Sequence, residues 1–512
     1  MRNLSFSVLV ALLLFSALFV GFPVVGAPAV DEWPMFHHDP SHSGYTMSQA
    51  PKTSSLRWRY ATGGPVASSP AVADGIVFAG SFDNRVYALD ELTGAQIWNY
   101  TTKGAVGSSP AVVDGVVFVG SEDSNVYALN EVTGEKIWSY QTGNSVFYSS
   151  PNVIDGLVFV CSSDGNVYAL KESNGEKIWN KNIRSDGYSS PAVADNMVFI
   201  GSGAGKIYAL NEQTGAEVWS YETNAGLSST SPAVADGMVF LAATGGVLAF
   251  NETSGARIWN FDTGLYMESS PAVADGIVFI GAYPCAIYAL NETSGTLIWT
   301  TYPTIGTSFC SPAIADDMVY VGNFGSDSNF YALNESTGAT TWNYSGGFFY
   351  GGQWDSSPAV ADGMVFICSY KGYIYCFGQS VNVKPVLQVT NPSNNTVVSS
   401  SDVTLQWNCR SIISVGDYLV KLDNDPWIDA GDNNTYTFQG LANGNHTVYI
   451  QAVDRGGLNG TVYVYFTVNA LKLTPEIVAI IGAIFAIILI LVYVAIKKPK
   501  GPKRDPELTH AN

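Results

Sequence analysis

A phrase of eleven residues recurs along the chain with nearly the same letters each time. It reads ALNETSGTLIW at residues 289–299 and ALNEVTGEKIW at residues 128–138, and close copies begin at residues 88, 169, 209, 249 and 332. Each copy has the pattern of one β-strand, a tight turn containing glycine, and the start of the next strand. A period near 40 residues with four short strand signals per unit is typical of a β-propeller.

The last residue of the phrase is a tryptophan, and it sets the spacing of the repeat. Burial of an aromatic side chain of this size removes roughly 200 Å² from water, which stabilises a fold by about 5 kcal/mol before other costs. We therefore predict that each tryptophan has a structural role and docks one small sheet against the next. The eight repeat tryptophans are Trp58, Trp98, Trp138, Trp179, Trp219, Trp259, Trp299 and Trp342.

The two ends of the repeat array complement each other. Residues 55–60 (SLRWRY) supply a tryptophan strand without the preceding strands, and residues 373–378 (YIYCFG) end a unit that lacks its tryptophan strand. Pairing of these two stretches would remove an open sheet edge, which is a liability for any sheet protein. We predict an all-β fold with an eight-bladed β-propeller at 55–380, closed by its N-terminal strand and preceded by a capping segment at 28–54.

The two termini of the chain have the patterns of export and membrane anchoring. Residues 1–27 combine one early arginine, an apolar run and small residues, which predicts a secretory signal peptide. Residues 477–496 are uninterrupted apolar residues, enough to cross a hydrocarbon core of roughly 30 Å, and KKPKGPKR follows them. We predict a transmembrane helix at 474–496, a basic cytoplasmic tail at 497–512 and a single-pass type I protein of the cell membrane, with the other domains outside.

Residues 381–470 differ from the repeats in composition. Polar and apolar residues alternate there in about seven strand signals, which predicts an immunoglobulin- or fibronectin-like β-sandwich. This domain would hold the propeller away from the membrane. The phrase GLANGNHTVYIQAVD within it is similar to repeats of prokaryotic surface proteins, and the resemblance implies an archaeal origin.

The whole chain carries a formal net charge of −19. Nucleic-acid binding needs a basic surface, so this balance argues against nucleic acid as a partner.

The repeated phrase resembles the tryptophan-docking motif of the pyrroloquinoline quinone (PQQ) repeat family of β-propellers. One copy of the motif consists of Ala128, Asn130, Thr133, Gly134 and Trp138. The resemblance implies either a scaffold propeller without a cofactor or a dehydrogenase that holds PQQ and calcium on its axis.

Several features of the sequence argue against the dehydrogenase. The family's enzymes have two adjacent cysteines and a set of acidic calcium ligands, whereas the six cysteines of this chain are all separated. The first strands of the units read Ser-Ser-Pro-Ala, which offers no carboxylate cluster. We therefore expect no cofactor and assign no catalytic residue, and we keep a PQQ-dependent dehydrogenase and a purely structural envelope protein as alternatives.

The loops that lead into the first strand of each unit all emerge at one mouth of the propeller channel. Aromatic side chains at a polar mouth suit a sugar ring, a peptide or a partner's side chain, although they could instead pack against each other or under the capping segment. We predict a surface module that binds or scaffolds an extracellular protein or glycan. The candidate binding residues are Phe147, Tyr148, Tyr188, Tyr266, Phe309, Tyr350, Trp354 and Asp355.

Two smaller groups of residues have chemical potential. His37, His38, Asp39 and His42 are the densest cluster of metal-ligand types, but their spacing matches no strong zinc pattern, so we expect packing within the capping segment and no metal. Because exported proteins favour disulfides, we also predict two candidate bridges. These are Cys285–Cys310 and Cys368–Cys376.

An exported chain can also be glycosylated at asparagines in N-x-S/T sequons. Three of the sequons occupy the same turn of successive repeats. The candidates are Asn99, Asn251, Asn291, Asn334, Asn343, Asn394, Asn433, Asn445 and Asn459.

Overall fold

The computed structural model describes most of the chain between residues 32 and 470. Within that range it leaves out 185, 224–226, 228–229, 268, 285, 304–305, 308–309, 323, 326–328, 346–355, 379–384, 411–414, 432 and 455–458. The chain divides into two compact units, Met1–Val381 and Asn382–Asn512, which are described separately below.

The first unit consists of short strands. Its first half contains β1 (Tyr45–Thr46), β2 (Leu56–Ala61), β3 (Ala71–Ala73), β4 (Ile76–Ser81), β5 (Arg85–Asp90), β6 (Gln96–Thr101), β7 (Ala111–Val113), β8 (Val116–Gly120), β9 (Asn125–Asn130), β10 (Lys136–Gln141), β11 (Asn152–Ile154), β12 (Leu157–Cys161), β13 (Asn166–Lys171), β14 (Lys177–Asn182), β15 (Ala192–Ala194), β16 (Met197–Ser202), β17 (Lys206–Asn211) and β18 (Glu217–Glu222). Its second half contains β19 (Ala233–Ala235), β20 (Met238–Ala243), β21 (Gly246–Asn251), β22 (Arg257–Asp262), β23 (Ala272–Ala274), β24 (Ile277–Ala282), β25 (Ala286–Asn291), β26 (Leu297–Thr301), β27 (Gly306–Thr307), β28 (Ala313–Ala315), β29 (Met318–Gly322), β30 (Phe324–Gly325), β31 (Asn329–Asn334), β32 (Thr340–Ser345), β33 (Ala359–Ala361), β34 (Met364–Ser369) and β35 (Tyr373–Phe377).

Each repeat of the sequence folds into one four-stranded antiparallel sheet. In the first such sheet β3 pairs with β4, β4 with β5 and β5 with β6. The described part of the unit contains seven four-stranded sheets of this kind and one five-stranded sheet, in which β1 pairs parallel with β28. The turn between the first two strands of the first sheet has positive φ at Asp74 (45°) and Gly75 (79°), as a two-residue hairpin turn requires. The all-β class and the propeller arrangement predicted from the period are therefore present.

The two ends of the array meet as predicted. Strand β2 pairs antiparallel with β35, which places Trp58 opposite Cys376 and Ala61 opposite Tyr373. The first strand of each sheet also contacts the first strand of the next, and β33 of the last sheet contacts β3 of the first. The predicted pairing of residues 55–60 with 373–378 is confirmed.

The described part of the second unit contains two sheets. Its strands are β36 (Val386–Asn391), β37 (Thr396–Val398), β38 (Val403–Arg410), β39 (Val415–Leu422), β40 (Ile428–Gly431), β41 (Thr435–Phe438), β42 (Gly444–Asp454) and β43 (Asn459–Val468). One sheet has the order β36-β38-β41 and the other β37-β43-β42-β39-β40. Trp407 of the first sheet shares one buried cluster with Val420, Ile450 and Phe466 of the second, so the apolar face of each alternating strand is buried between them.

The disulfide predicted between Cys368 and Cys376 is wrong. In the ladder of β34 and β35, Cys368 lies opposite Ile374 and Cys376 lies opposite Phe366, so the two cysteines are diagonal neighbours and both remain thiols. Diagonal positions on one sheet face are about 7–8 Å apart, which exceeds the reach of a disulfide. Burial raises the pKa of the Cys368 thiol to about 12, which makes it unreactive.

Several predictions fall on residues outside the described part. The signal peptide, the transmembrane helix at 474–496, the basic tail and Cys285 lie there, so the Cys285–Cys310 bridge stays a prediction. Among the described residues the structure has no helix with the length and apolar character needed to span a membrane.

Candidate functional site

The repeat tryptophans each join two sheets. Trp98 Nε1 donates a hydrogen bond of 2.7 Å to the carbonyl of Glu131 in the next sheet, and its ring lies where a Cβ on Gly134 would come within 2.7 Å. Gly134 also has a φ of 71°, so the glycine of the repeated phrase meets both a conformational and a steric requirement. Equivalent indole bonds are made by Trp58, Trp138, Trp179, Trp219, Trp259 and Trp299, whereas Trp342 donates to the carbonyl of Pro51.

A ring of serines lines the channel between the first strands of the sheets. The backbone N–H of Ser69 donates to Ser109 Oγ at 2.9 Å, and the same bond passes from each sheet to the next until Ser357 N–H donates to Ser69 Oγ at 2.9 Å. The serine ring consists of Ser69, Ser109, Ser150, Ser190, Ser231, Ser270, Ser311 and Ser357. The short Ser-Pro phrase of the repeat therefore links the sheets around the axis.

The described part of the capping segment, residues 32–54, lies across one end of these strands. Val72 N–H donates to the Trp33 carbonyl at 2.8 Å, Val193 N–H donates to the Pro40 carbonyl at 2.7 Å, and Val273 N–H donates to the Ser43 carbonyl at 2.7 Å. The segment thus bonds in turn to successive sheets as it follows the ring. Its carbonyls satisfy donors at the inner ends of strands that would otherwise be buried without a partner.

The aromatic candidate residues lie at the other end. Tyr188 is five residues before Val193, and a chain of that length reaches about 16 Å when it is extended. Ser190 of the serine ring lies between Tyr188 and Val193, which argues against packing of Tyr188 under the capping segment.

Three of the candidate residues come together in one cluster. The rings of Tyr148 and Tyr188 are stacked with centroids 4.8 Å apart, and Phe147 lies 4.2 Å from Tyr148. Phe82 extends the cluster, with its ring centroid 5.0 Å from that of Phe147 and 5.7 Å from that of Tyr370. We call these five half-buried residues the aromatic face.

Sequence reasoning missed Phe82 and Tyr370. Both lie in the turn between the second and third strands of their sheets, and Phe82 N–H donates to the Pro65 carbonyl in the loop that enters its own sheet. The sequence could have indicated both residues, because that turn and the entering loop meet at the same end of a four-stranded antiparallel sheet.

The remaining candidates are not part of this cluster in the described residues. Tyr266 is 47% exposed and lies beside Tyr283, whose N–H donates to the Tyr266 carbonyl at 2.9 Å. Phe309, Tyr350, Trp354 and Asp355 lie outside the described part of the chain.

The electrostatics of the aromatic face favour neutral side chains. Burial, followed by the neighbouring Tyr188, Tyr370 and Glu122, raises the pKa of the Tyr148 hydroxyl far above its usual value. Tyr148 therefore remains a neutral hydroxyl near pH 7. A neutral aromatic surface with hydroxyl groups at its edge suits recognition of a partner rather than acid–base chemistry.

In the described part of the chain, the groups on the channel wall are hydroxyls rather than the carboxylates that calcium prefers. The wall is formed by serines that already bond one another, and the described residues contain no group of three or more His, Cys, Asp and Glu side chains that could hold a metal. His37, His38, Asp39 and His42 belong to the capping segment at the opposite end from the aromatic face, and they do not form such a group either.

Comparisons with known proteins agree with the fold. The BamB protein of Moraxella catarrhalis is 18% identical with a TM-score of 0.55, covering 63% of this chain and 99% of its own. The computationally designed Ika8 protein is 17% identical with a TM-score of 0.54, covering 64% of this chain and all of its own. The quinohemoprotein alcohol dehydrogenase of Comamonas testosteroni is 15% identical with a TM-score of 0.56, covering 71% of this chain and 83% of its own.

These likenesses show the fold alone, because all the identities are low. No curated protein sequence matches the chain. The model of one protein family, described as outer membrane protein assembly factor BamB, matches residues 47–191, 185–267 and 243–347. Since these segments make up more than half of the 512 residues, and since the tryptophan docking recurs throughout them, the chain belongs to the BamB family of PQQ-like repeat propellers.

Proposed function

We propose that this protein is a scaffolding module that binds another protein through the aromatic face. The observation that carries the proposal is the cluster of Phe82, Phe147, Tyr148, Tyr188 and Tyr370 at the end of the channel opposite the capping segment. Loops on a rigid repeat scaffold are where such proteins usually place their recognition residues.

The chemistry of the face supports a protein partner. Tyrosine and phenylalanine supply large contact areas with little loss of side-chain entropy, and aromatic residues are enriched among interface residues that contribute most to binding. The family's description names an assembly factor, which is a role exercised through other proteins. Binding of a glycan to the same aromatic rings would instead identify the partner as a carbohydrate.

We propose a surface location for the module. The signal pattern at 1–27 and the apolar run at 477–496 support an exported, single-pass type I protein. Its eight sheets would form one closed propeller, and an immunoglobulin-like domain follows the propeller in the chain. Protease treatment of intact cells should then remove the propeller from the membrane fraction while the tail at 497–512 remains protected.

The test of binding compares two variants of the full chain. Tyr148→Ser with Tyr188→Ser removes the stacked pair, and Tyr463→Ser removes a tyrosine that is 55% exposed on β43 of the second unit. Partners captured from native envelope by the wild type should bind the double variant at least about tenfold more weakly, because two central aromatic contacts each contribute on the order of 1 kcal/mol or more. The Tyr463 variant should bind like the wild type.

Two results would contradict the proposal. One is equal capture by the wild type and the double variant when both have the same thermal stability. The other is dye reduction that depends on an alcohol or sugar after addition of PQQ and calcium, which would support the dehydrogenase alternative instead.

A further inference from the structure

The capping segment buries two imidazole rings against the ends of the inner strands. His37 and His42 are each 2% exposed, and their ring centroids lie 6.2 Å apart. Phe36 packs against both, with ring centroids 4.4 Å from His37 and 5.3 Å from His42. Both histidines also have positive φ, 57° and 59°, so the segment turns sharply where they are buried.

The surroundings of the two imidazole rings do not stabilise a positive charge on either one. Both nitrogens of His37 lack a hydrogen-bond partner among the described residues, and His42 Nδ1 lies 3.1 Å from the carbonyl of Pro232. A protonated imidazole needs two acceptors, and a buried cation without them is costly. The neutral form is therefore the form that fits.

The ionisable groups that act on these rings come from the segment itself. His37 and His42 repel each other when protonated, and Asp39 attracts both. Asp39 is partly committed elsewhere, because it accepts hydrogen bonds from Ser41 Oγ at 2.6 Å and from Ser43 Oγ, and it pairs with His38 at 3.3 Å. Among the described residues the strands contribute no titratable group to this balance; the propeller side presents the Pro232 carbonyl.

Residues 33–44 could leave the ring without breaking it. They are held to the propeller by backbone hydrogen bonds such as those from Val112 to Pro34, from Val234 to Ser41 and from Ile314 to Gly44, each 2.8 Å long. The side chains of Trp33 and Met35 add to this attachment, because both are buried in clusters that they share with residues of the sheets. The serine ring and the four-stranded ladders use other donors and acceptors. Detachment of this stretch would expose Trp33 and Met35 and open one end of the channel, but it would leave the ladders and the serine ring paired.

We infer that residues 33–44 are an acid-released plug, which closes the channel while His37 and His42 are neutral and detaches when they take up protons. The aromatic face at the opposite mouth plays no part in this inference, so it stands apart from the proposed binding function.

The direction of the pH dependence follows from the two histidines. Burial, and then His42, lowers the pKa of His37 from 6.5 to about 3, and burial lowers the pKa of His42 from 6.5 to about 4. The released segment binds protons with the ordinary histidine pKa, so closure is complete above about pH 6.5 and weakens as the pH falls toward 4.

Two carboxyl groups of the sheets respond to pH in the opposite sense to the two histidines. Burial, and then Asp74 and Glu32, raises the pKa of Glu131 to about 7, and burial with Asp275 and Asp317 raises that of Glu335 to about 7. A raised carboxyl pKa gives stability that is present below the unfolded value of 4.5 and is lost as the pH rises through about 7. Mild acid thus stabilises the ring of sheets through these carboxyl groups while it weakens the attachment of residues 33–44. We therefore expect residues 33–44 to detach while the sheets stay paired.

Hydrogen exchange of the full chain, read residue by residue and corrected for the intrinsic rate at each pH, tests the inference. Between pH 7 and pH 5 the amides of Val112, Val193 and Val273 should exchange at least about tenfold faster, because two histidines gain protons on release. The amides of Ser109 and Ser190 in the serine ring should keep their protection.

A variant without the two histidines distinguishes release caused by their protonation from a general effect of acid on the protein. His37→Asn with His42→Asn places at both positions a side chain that cannot take up a proton and that tolerates positive φ, and its valine amides should stay protected at pH 5. His446→Gln is the matched control, because His446 lies in the second unit beside Asp423 and should leave release unchanged. Three results would each overturn the inference. In the wild type, these are equal protection of the valine amides at both pH values, and loss of protection by the valine and serine amides together. In the double variant, it is loss of valine protection at pH 5.

Discussion

Replacement of Trp138 by alanine is expected to lower the free energy of unfolding of the propeller by about 3–5 kcal/mol. The indole is 8% exposed, donates a 2.7 Å hydrogen bond to the Glu172 carbonyl and packs 5.8 Å from the ring of Phe118. Its removal would leave a cavity between two sheets and a carbonyl that has lost its donor. The loss should be measured by denaturant unfolding followed by circular dichroism.

The control for this prediction is the neighbouring residue. Ile137 precedes Trp138 in β10 and is 49% exposed, so Ile137→Ala should change the unfolding free energy by only about 0.5 kcal/mol. A Trp138→Ala variant no less stable than Ile137→Ala would show that the indole does not hold the sheets together.

A glycine pair in the propeller separates backbone strain from contact with tryptophan. Gly215 has a φ of 67° and a Cβ there would lie 2.6 Å from Trp179 Cε3, whereas Gly237 has a φ of 74° and no atom within 4 Å of such a Cβ. Alanine at either position should cost about 1–2 kcal/mol for the left-handed backbone, and Gly215→Ala should cost about 1–3 kcal/mol more because of the overlap.

The comparison of these two variants needs only one assay. Thermal or denaturant unfolding of both should give a clearly larger loss for Gly215→Ala. Equal losses would mean that the glycine of the repeated phrase is required only for its backbone conformation and that the ring can move aside.

The fold was predictable where side-chain identity determines the structure. The period of the tryptophans fixes the repeat, the Asp-Gly and Thr-Gly turns fix the hairpins, and the missing strands at each end of the array indicate how Leu56–Ala61 meets Tyr373–Phe377. The error at Cys368 and Cys376 has a definite cause, because adjacent strands were identified but their register, which sets the diagonal offset, was not.

The functional surface was only partly predictable. Tyr148 and Tyr188 stand out because the loops into each first strand share one mouth, whereas Phe82 and Tyr370 lie in short turns with no unusual letters around them. The path of the capping segment could not be read from the sequence, because its hydrogen bonds to the sheets come from backbone carbonyls such as those of Pro34, Pro40 and Gly44, which every residue type possesses.

The central claim is that the sheets form one closed ring whose ends are joined by β2 and β35, and a designed cross-link tests it most directly. Ala61 is exposed and lies opposite Tyr373 in the ladder, a separation that a disulfide can span. After oxidation of Ala61→Cys with Tyr373→Cys, peptide mapping should recover the two cysteines linked within one chain. Ala61→Cys with Val132→Cys should give no such link, because Val132 is an exposed residue in the turn between β9 and β10 of another sheet. Unlinked cysteines in the first variant, or a link only between different chains, would contradict the closed ring.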